Sequence, residues 1–121
     1  MKPNRLKQVN QYQKINHFPG CWYLGRKDNL WRSMFRMKRA HGAEYNVVPQ
    51  TYIFPEDYKR FCMDRELSNY KSLYIMKPAA SSCGRGIKMI GKKAHVNKRA
   101  GYLVSKYINK PHLINGFKYD L

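Results

Sequence analysis

Between Glu66 and Asp120 the chain carries 11 Lys or Arg and not one acidic residue. A stretch of this kind cannot neutralise its cations from within, and a buried unpaired charge is costly, so it can fold only through short apolar runs whose lysine heads turn to solvent or to an external anion. The imbalance extends to the whole chain: 24 Lys and Arg against 7 Asp and Glu over 121 residues, a formal net charge of +17. A disordered polycation is nevertheless excluded, because 43% of the residues are hydrophobic and 14% aromatic, enough apolar surface to pack. The length suits one small domain or a piece of a larger one. The charge predicts a polyanionic partner: nucleic acid, an anionic membrane, nucleotide phosphates or an acidic protein segment.

The opening MKPNRLKQVNQYQ is basic but has no apolar core after its cations, which is not the pattern of a secretory signal. No run approaches the roughly 20 apolar residues of a membrane span, so a soluble, intracellular protein is expected. Cys21, Cys62 and Cys83 are odd in number and irregularly spaced, which predicts reduced thiols rather than a disulfide framework or a paired-cysteine metal site. His17, His41, His95 and His112 share no metal-ligand spacing. His17, within NHFPG, reads as a turn or packing residue.

Leu30, Trp31, Met34, Phe35 and Met37 recur at three- and four-residue steps, predicting a helix over Arg26–Ala40 with Asp28 as N-cap and Gly42 past its end. Arg32, Arg36, Lys38 and Arg39 form its polar face. Val47–Phe54 is β-rich, and Pro55-Glu56-Asp57 reads as the first turn of a short helix running to about Arg65. Leu73–Lys77 and Ile87–Ile90 read as strands on either side of a loop of small residues, and Leu103–Ile108 as another strand. Phe117–Leu121 resembles a strand cut short, so the chain is expected to stop inside a larger fold.

The loop Ser81-Ser82-Cys83-Gly84-Arg85-Gly86 has the composition of a phosphate cradle. Small residues let backbone N–H groups approach an anion, glycine tolerates the dihedrals required, and Arg85 and Lys77 add charge. It matches neither GxxxxGK followed by Ser or Thr, nor GxGxxG. The alternative is that Gly84 and Gly86 merely permit a hairpin turn and Lys77 is surface charge.

Four segments taken in order go further: KINHFPG with RKDNL, VVPQTYIFPEDYKRFC, YIMKPAASSCGRGI, and LVSKYINKPHLINGFKYDL. Together they resemble the tubulin tyrosine ligase-like family, and within it the polyglutamylases, over residues 14–121. The resemblance implies an α+β, ATP-grasp-like fold, present in part as the N-terminal and central portions of the domain, with residues 1–13 a basic N-terminal segment. It implies an ATP-dependent protein-glutamate ligase: a glutamate carboxylate on an acidic tubulin tail is phosphorylated, and the acyl phosphate is attacked by the amino group of free glutamate. It further implies a cytoplasmic, cytoskeletal location, including cilium or basal body, with tubulin or microtubule tails as partner and no membrane.

By the same resemblance, Lys77 grips ATP phosphates, Cys83, Gly84, Arg85 and Gly86 fold over them, and Lys27 faces the nucleotide. Ser105, Lys106, Tyr107 and Ile108 correspond to the segment whose backbone recognises adenine, the side chains of Tyr107 and Ile108 being expected in the core. Lys118, Tyr119 and Asp120 correspond to a motif beside ribose and phosphate. Relatives commonly carry arginine, associated with the acidic acceptor, where this chain has Cys83; a thiol supplies no such charge. The family's Mg²⁺ ligands are expected beyond Leu121, leaving no metal site and no catalytic residue assigned within the chain, which is expected to be inactive by itself. The alternative is a non-enzymatic basic module binding RNA or an acidic protein such as microtubules, although no RNP1 pattern, GXXG clamp or zinc-knuckle spacing is present.

Overall fold

A computed structural model describes residues 9–16 and 18–119. His17 and Asp120 lie outside the described residues. In chain order the elements are α1 (Trp22–Gly25), α2 (Lys27–His41), a 3₁₀ turn (Ala43–Tyr45), β1 (Thr51–Ile53), α3 (Tyr58–Leu67), β2 (Tyr74–Pro78), β3 (Lys88–Ile90) and β4 (Tyr102–Lys106).

Helix α2 follows the apolar spacing of its sequence, with Trp31 buried and Gly42, at φ 89°, closing the end by donating its N–H to the Lys38 carbonyl. Its start differs from expectation, because Arg26, not Asp28, occupies the N-cap. The Asp28 carboxylate is held by the Arg26 guanidinium, Nε to Oδ1 at 3.1 Å and Nη2 to Oδ2 at 2.8 Å, and accepts the Asn29 N–H. From inside the first turn it still complements the helix dipole. The hydrogen bond to Arg26 leads the causes that hold the Asp28 carboxyl below the usual carboxylate range, against a burial effect that would raise it. A carboxyl with a depressed folded-state pKa adds stability that is present above its unfolded pKa and is lost as pH falls through the folded value. Asp28→Asn should therefore lower stability by about 1 kcal/mol at neutral pH and flatten the acid limb of a Tm-against-pH curve below about pH 4.

Strand β1 covers only the end of the β-rich run, and Val47 is exposed. The Pro55-Glu56-Asp57 segment, expected as the first turn of α3, forms a separate turn ahead of it. Asp57 explains the change: its carboxylate accepts the Ile53 N–H at 2.9 Å while its own N–H donates to the Ile53 carbonyl at 2.8 Å, tying the segment back to β1. Helix α3 then continues past Arg65 to Leu67.

The described strands form one antiparallel sheet in the order β1-β4-β2-β3. Strands β1 and β2, joined through α3, run in the same direction with β4 between them. Side chains alternate across a strand, so the register sorts the residues by face. Tyr52, Val104, Met76, Tyr74 and Ile90 share one face, and Thr51, Ser105, Ile53, Leu103 and Lys77 the other. The first face packs on α3, where Phe61 is fully buried against edge-on rings of Tyr52 and Tyr74. The second face lies beneath α2.

Two expectations for the C-terminal part fail. Ile108 is 60% exposed rather than in the core, since β4 ends at Lys106. Phe117 and Tyr119 are in no named strand. Asn115 and Gly116, both at positive φ, make a two-residue turn in which Ile114 and Phe117 exchange backbone hydrogen bonds, leaving the Phe117 ring exposed. Among the described residues, no helix is long and apolar enough to cross a membrane. All three cysteines are free.

Candidate nucleotide site

Lys77 follows the apolar run of β2, and its register opposite Leu103 turns it toward α2. Lys27 stands in the first turn of α2, one turn before Trp31. The two lysines meet at the junction of two cavities of about 150 Å³ each. One is apolar, walled by Leu30 and Trp31 of α2, Val48 and Pro49 before β1, and Leu103 of β4. The other is formed by the small-residue loop, from Pro78 and Ser81 to Arg85 and Ile87. Beyond Trp31, Val48 and Pro49 the apolar cavity adjoins a groove of about 420 Å³ that reaches Ile108. The result is a trough along α2, cationic at the loop end, apolar in its middle, and of mixed character toward Ile108, where Lys38, Asn46 and Gln50 also line it.

The loop is a hairpin connection, as the plainer reading of its glycines expects, and it also presents donors. Cys83, Gly84 and Gly86 have φ of 55°, 70° and 71°. Arg85 N–H turns back to the Ser82 carbonyl and Ile87 N–H to that of Gly84. Among the described residues, the N–H groups of Cys83, Gly84 and Gly86 find no partner. Successive unpaired amides in such a turn make a concavity suited to an anion. Cys83 adds an exposed thiol there, and Arg85 an exposed cation.

Lys27 links the parts: its Nζ donates to the Ser81 carbonyl at 2.6 Å, fastening the loop to α2 across 54 positions of sequence. Replacing it with methionine should free the loop. Amide exchange of residues 81–86 should quicken, with a smaller loss of anion binding than loss of Lys77 causes; unchanged exchange would remove this latch role.

Burial, then the charges of Lys27 and Lys118, pushes the Lys77 ammonium below its usual pKa. Lys118 acts on Lys77 through its charge, although it lines neither cavity. Among the described residues, no carboxylate pairs with Lys27, Lys77, Arg85 or Lys118; the ion pairs join Arg26 and Arg32 to Asp28, Arg32 to Glu56, and Arg60 to Asp57. The cluster is unneutralised positive charge, and an oligophosphate would relieve its self-repulsion.

The other sequence candidates are placed as follows. Ser105 faces the trough, its Oγ 2.9 Å from Thr51 Oγ1; because Thr51 donates to the Pro49 carbonyl, Ser105 is the donor of that pair. Lys106 lies one residue further on and turns to the α3 side. The backbone N–H groups of Lys106 and Tyr107 are already given to the Gln50 and Leu73 carbonyls, both at 2.8 Å. Tyr119 is drawn to His112, its hydroxyl 3.0 Å from Nδ1. Sequence reasoning missed Leu30, Trp31, Val48 and Pro49 as trough walls. The first two carry a signal, since Lys27, Leu30 and Trp31 at i, i+3 and i+4 share one helix face.

A triphosphate fits the loop end, with its free amides and Lys27, Lys77 and Arg85. Magnesium does not fit the residues that line the loop end: a nucleotide-bound magnesium takes one or two carboxylates besides phosphate and water oxygens, and no Asp or Glu lines either cavity.

Comparison with known proteins gives a consistent picture. The family model of the tubulin-tyrosine ligase family matches residues 5–121. Tubulin monoglutamylase TTLL4 of Homo sapiens is 42% identical over 122 residues, covering 100% of this chain and 10% of that protein. Tubulin polyglutamylase TTLL5 of Homo sapiens is 39% identical, covering 100% of this chain and 9% of the relative. A probable beta-tubulin polyglutamylase of Tetrahymena thermophila is also 39% identical, over 99% of this chain and 10% of its own length. The chain thus spans about a tenth of the length of these relatives. With a family model matched over nearly its whole length, this chain belongs to the tubulin-tyrosine ligase family.

Proposed function

We propose that this chain supplies the nucleotide-gripping part of an ATP-grasp ligase that joins glutamate to glutamate side chains of acidic tubulin tails through an acyl phosphate. Residues 14–121 form that part of the domain, and residues 1–13 a basic lead segment. The carrying observation is the trough: free loop amides and unneutralised lysines at one end and an apolar cavity directly beside them, in a member of this family. In this reading ATP lays its phosphates against Lys77, Lys27, Arg85 and the amides of Cys83, Gly84 and Gly86. The base and ribose run past Leu30, Trp31 and Leu103 toward Ile108, with Lys118 beside the phosphates. The fixed cations stabilise charge on the transferring phosphoryl group. Because Lys106 and Tyr107 N–H groups are taken by the sheet, polar contacts to adenine fall to carbonyls or to Ile108. Asp120 remains a proposed ribose-side contact. A thiol offers a carboxylate no ion-pair partner, so Cys83 is not assigned to the acceptor. Working on tubulin, such a ligase would act in the cytoplasm on the cytoskeleton, cilium and basal body included.

The test is selectivity. Because Trp31 lines the trough, ATP should change its fluorescence saturably and bind at least tenfold tighter than tripolyphosphate, the difference coming from buried apolar base surface. ATP and tripolyphosphate binding equally, with RNA oligomers binding in proportion to their charge, would instead establish a basic polyanion module. Labelled glutamate should not pass to tubulin with this chain alone.

A further inference from the structure

On the sheet face away from the trough, α3 and the segment after β3 enclose a groove of about 410 Å³. Its floor holds Arg65, only 8% exposed although it carries a full charge. The Arg65 Nη2 donates to the Gly91 and Lys92 carbonyls, at 3.0 and 2.7 Å, and its guanidinium lies 5.6 Å from the Phe61 ring centre and 5.3 Å from that of Tyr70. Nε and Nη1 keep their own N–H donors, which have no partner among the described residues and are not sealed from solvent. Lys93 and His95 stand on the rim, and no acidic residue lines the groove.

We infer that this groove is a second anion site, separate from the trough, that holds the carboxylates of an acidic peptide. Arg65 is fixed before any ligand arrives, so a charge-assisted hydrogen bond to it loses little side-chain entropy. A bare phosphate would leave the half-buried Tyr58 and Tyr70 walls uncovered. A Glu or Asp side chain fills them with its methylene stem, places its carboxylate on Arg65, and leaves neighbouring acids for Lys93. The inference stands whether or not the trough binds nucleotide.

The probe is a fluorescein-labelled deca-glutamate peptide, followed by anisotropy at fixed ionic strength. Arg65→Ala could disturb the Gly91–Lys92 turn, so Lys93→Glu carries the test, with Lys110→Glu, an exposed lysine outside the groove, as the equal-charge control. Lys93→Glu should weaken binding about tenfold, as loss of a charged contact predicts. Lys110→Glu and Lys77→Met should each change it by less than about twofold, corresponding to at most weak screened interaction. Inorganic phosphate matched in charge should not displace the peptide. Equal losses in Lys93→Glu and Lys110→Glu would mean diffuse charge and overturn the site. Loss in Lys77→Met would place the peptide in the trough, and displacement by phosphate would reduce the groove to a phosphate site; either result also overturns it.

Discussion

Lys77→Met should weaken ATP binding by at least about tenfold while raising the Tm of the ligand-free chain. The first effect follows from the contact removed, since a hydrogen bond from a charged donor contributes about 1.5–3 kcal/mol, or roughly 10- to 150-fold in affinity. The second follows from where the charge sits. Lys77 is desolvated and lies in the field of the Lys27 and Lys118 charges, so its ammonium pKa lies below the usual value. A lysine lowered on folding costs stability at any pH where it is charged. In the window between its folded and unfolded pKa the unfolded chain binds more protons, so stability rises with pH there. Methionine keeps most of the stem and removes the repulsion. The same pKa also predicts that ATP affinity of the native chain declines with rising pH before the ordinary lysine range, and that this limb vanishes in Lys77→Met. Calorimetry at several pH values and nucleotide titration measure both arms. Affinity within twofold of the native chain would refute the nucleotide role, and a fall in Tm would refute the electrostatic account.

That the same residue is unfavourable for folding and favourable for binding explains which parts of this molecule can be read in the sequence. Features set by near neighbours are legible. The spacing of Leu30, Trp31, Met34 and Phe35, and Gly42 behind them, mark α2 to within a residue at each end. The apolar runs about Tyr74 and Val104 mark two strands, and the small residues from Ser81 to Gly86 mark a turn with exposed amides. Features decided by competition between neighbouring side chains are misread. Asp28 has the composition of an N-cap, but the Arg26 fork outbids the helix amides for its carboxylate. Asp57 has the position of a first-turn acid, but the Ile53 N–H captures it. The trough is less legible still. Periodicity reports that α2 and the sheet each have an apolar face; it does not report that Trp31, Pro49 and Leu103 meet with a gap left between them. Nor does it reveal that Ser81, through its carbonyl, is the partner of Lys27. Ile108 illustrates the reverse error, an apolar residue just past a strand whose side chain lies open at the trough's far end rather than in the core.

Gly84→Ala and Gly86→Ala should separate the two things the loop does, its own folding and its grip on phosphate. Both residues have nearly the same dihedral, φ 70° and 71°, so a side chain in that left-handed region costs each about 1 kcal/mol. Their surroundings differ. A Cβ on Gly86 would lie 2.9 Å from Pro78 Cγ, whereas one on Gly84 would meet nothing within 4 Å. The Pro78 ring cannot simply move aside, because it closes β2 opposite Tyr102 and the next residue, Ala79, is tied through its N–H to the Gly101 carbonyl. Overpacking of this kind adds about 1–3 kcal/mol, so Gly86→Ala should lose about 2–4 kcal/mol of stability by denaturant melting, and Gly84→Ala about 1 kcal/mol. Affinity should behave differently. If phosphate lies against the bare backbone at Gly84, the new methyl occupies the approach itself, and Gly84→Ala should lose about tenfold in ATP affinity despite its small effect on stability. Native affinity in Gly84→Ala would mean that the open space over Gly84 receives no phosphate and that the loop is only a hairpin turn. A stability loss in Gly86→Ala no larger than in Gly84→Ala would mean that Pro78 does not set the loop's shape.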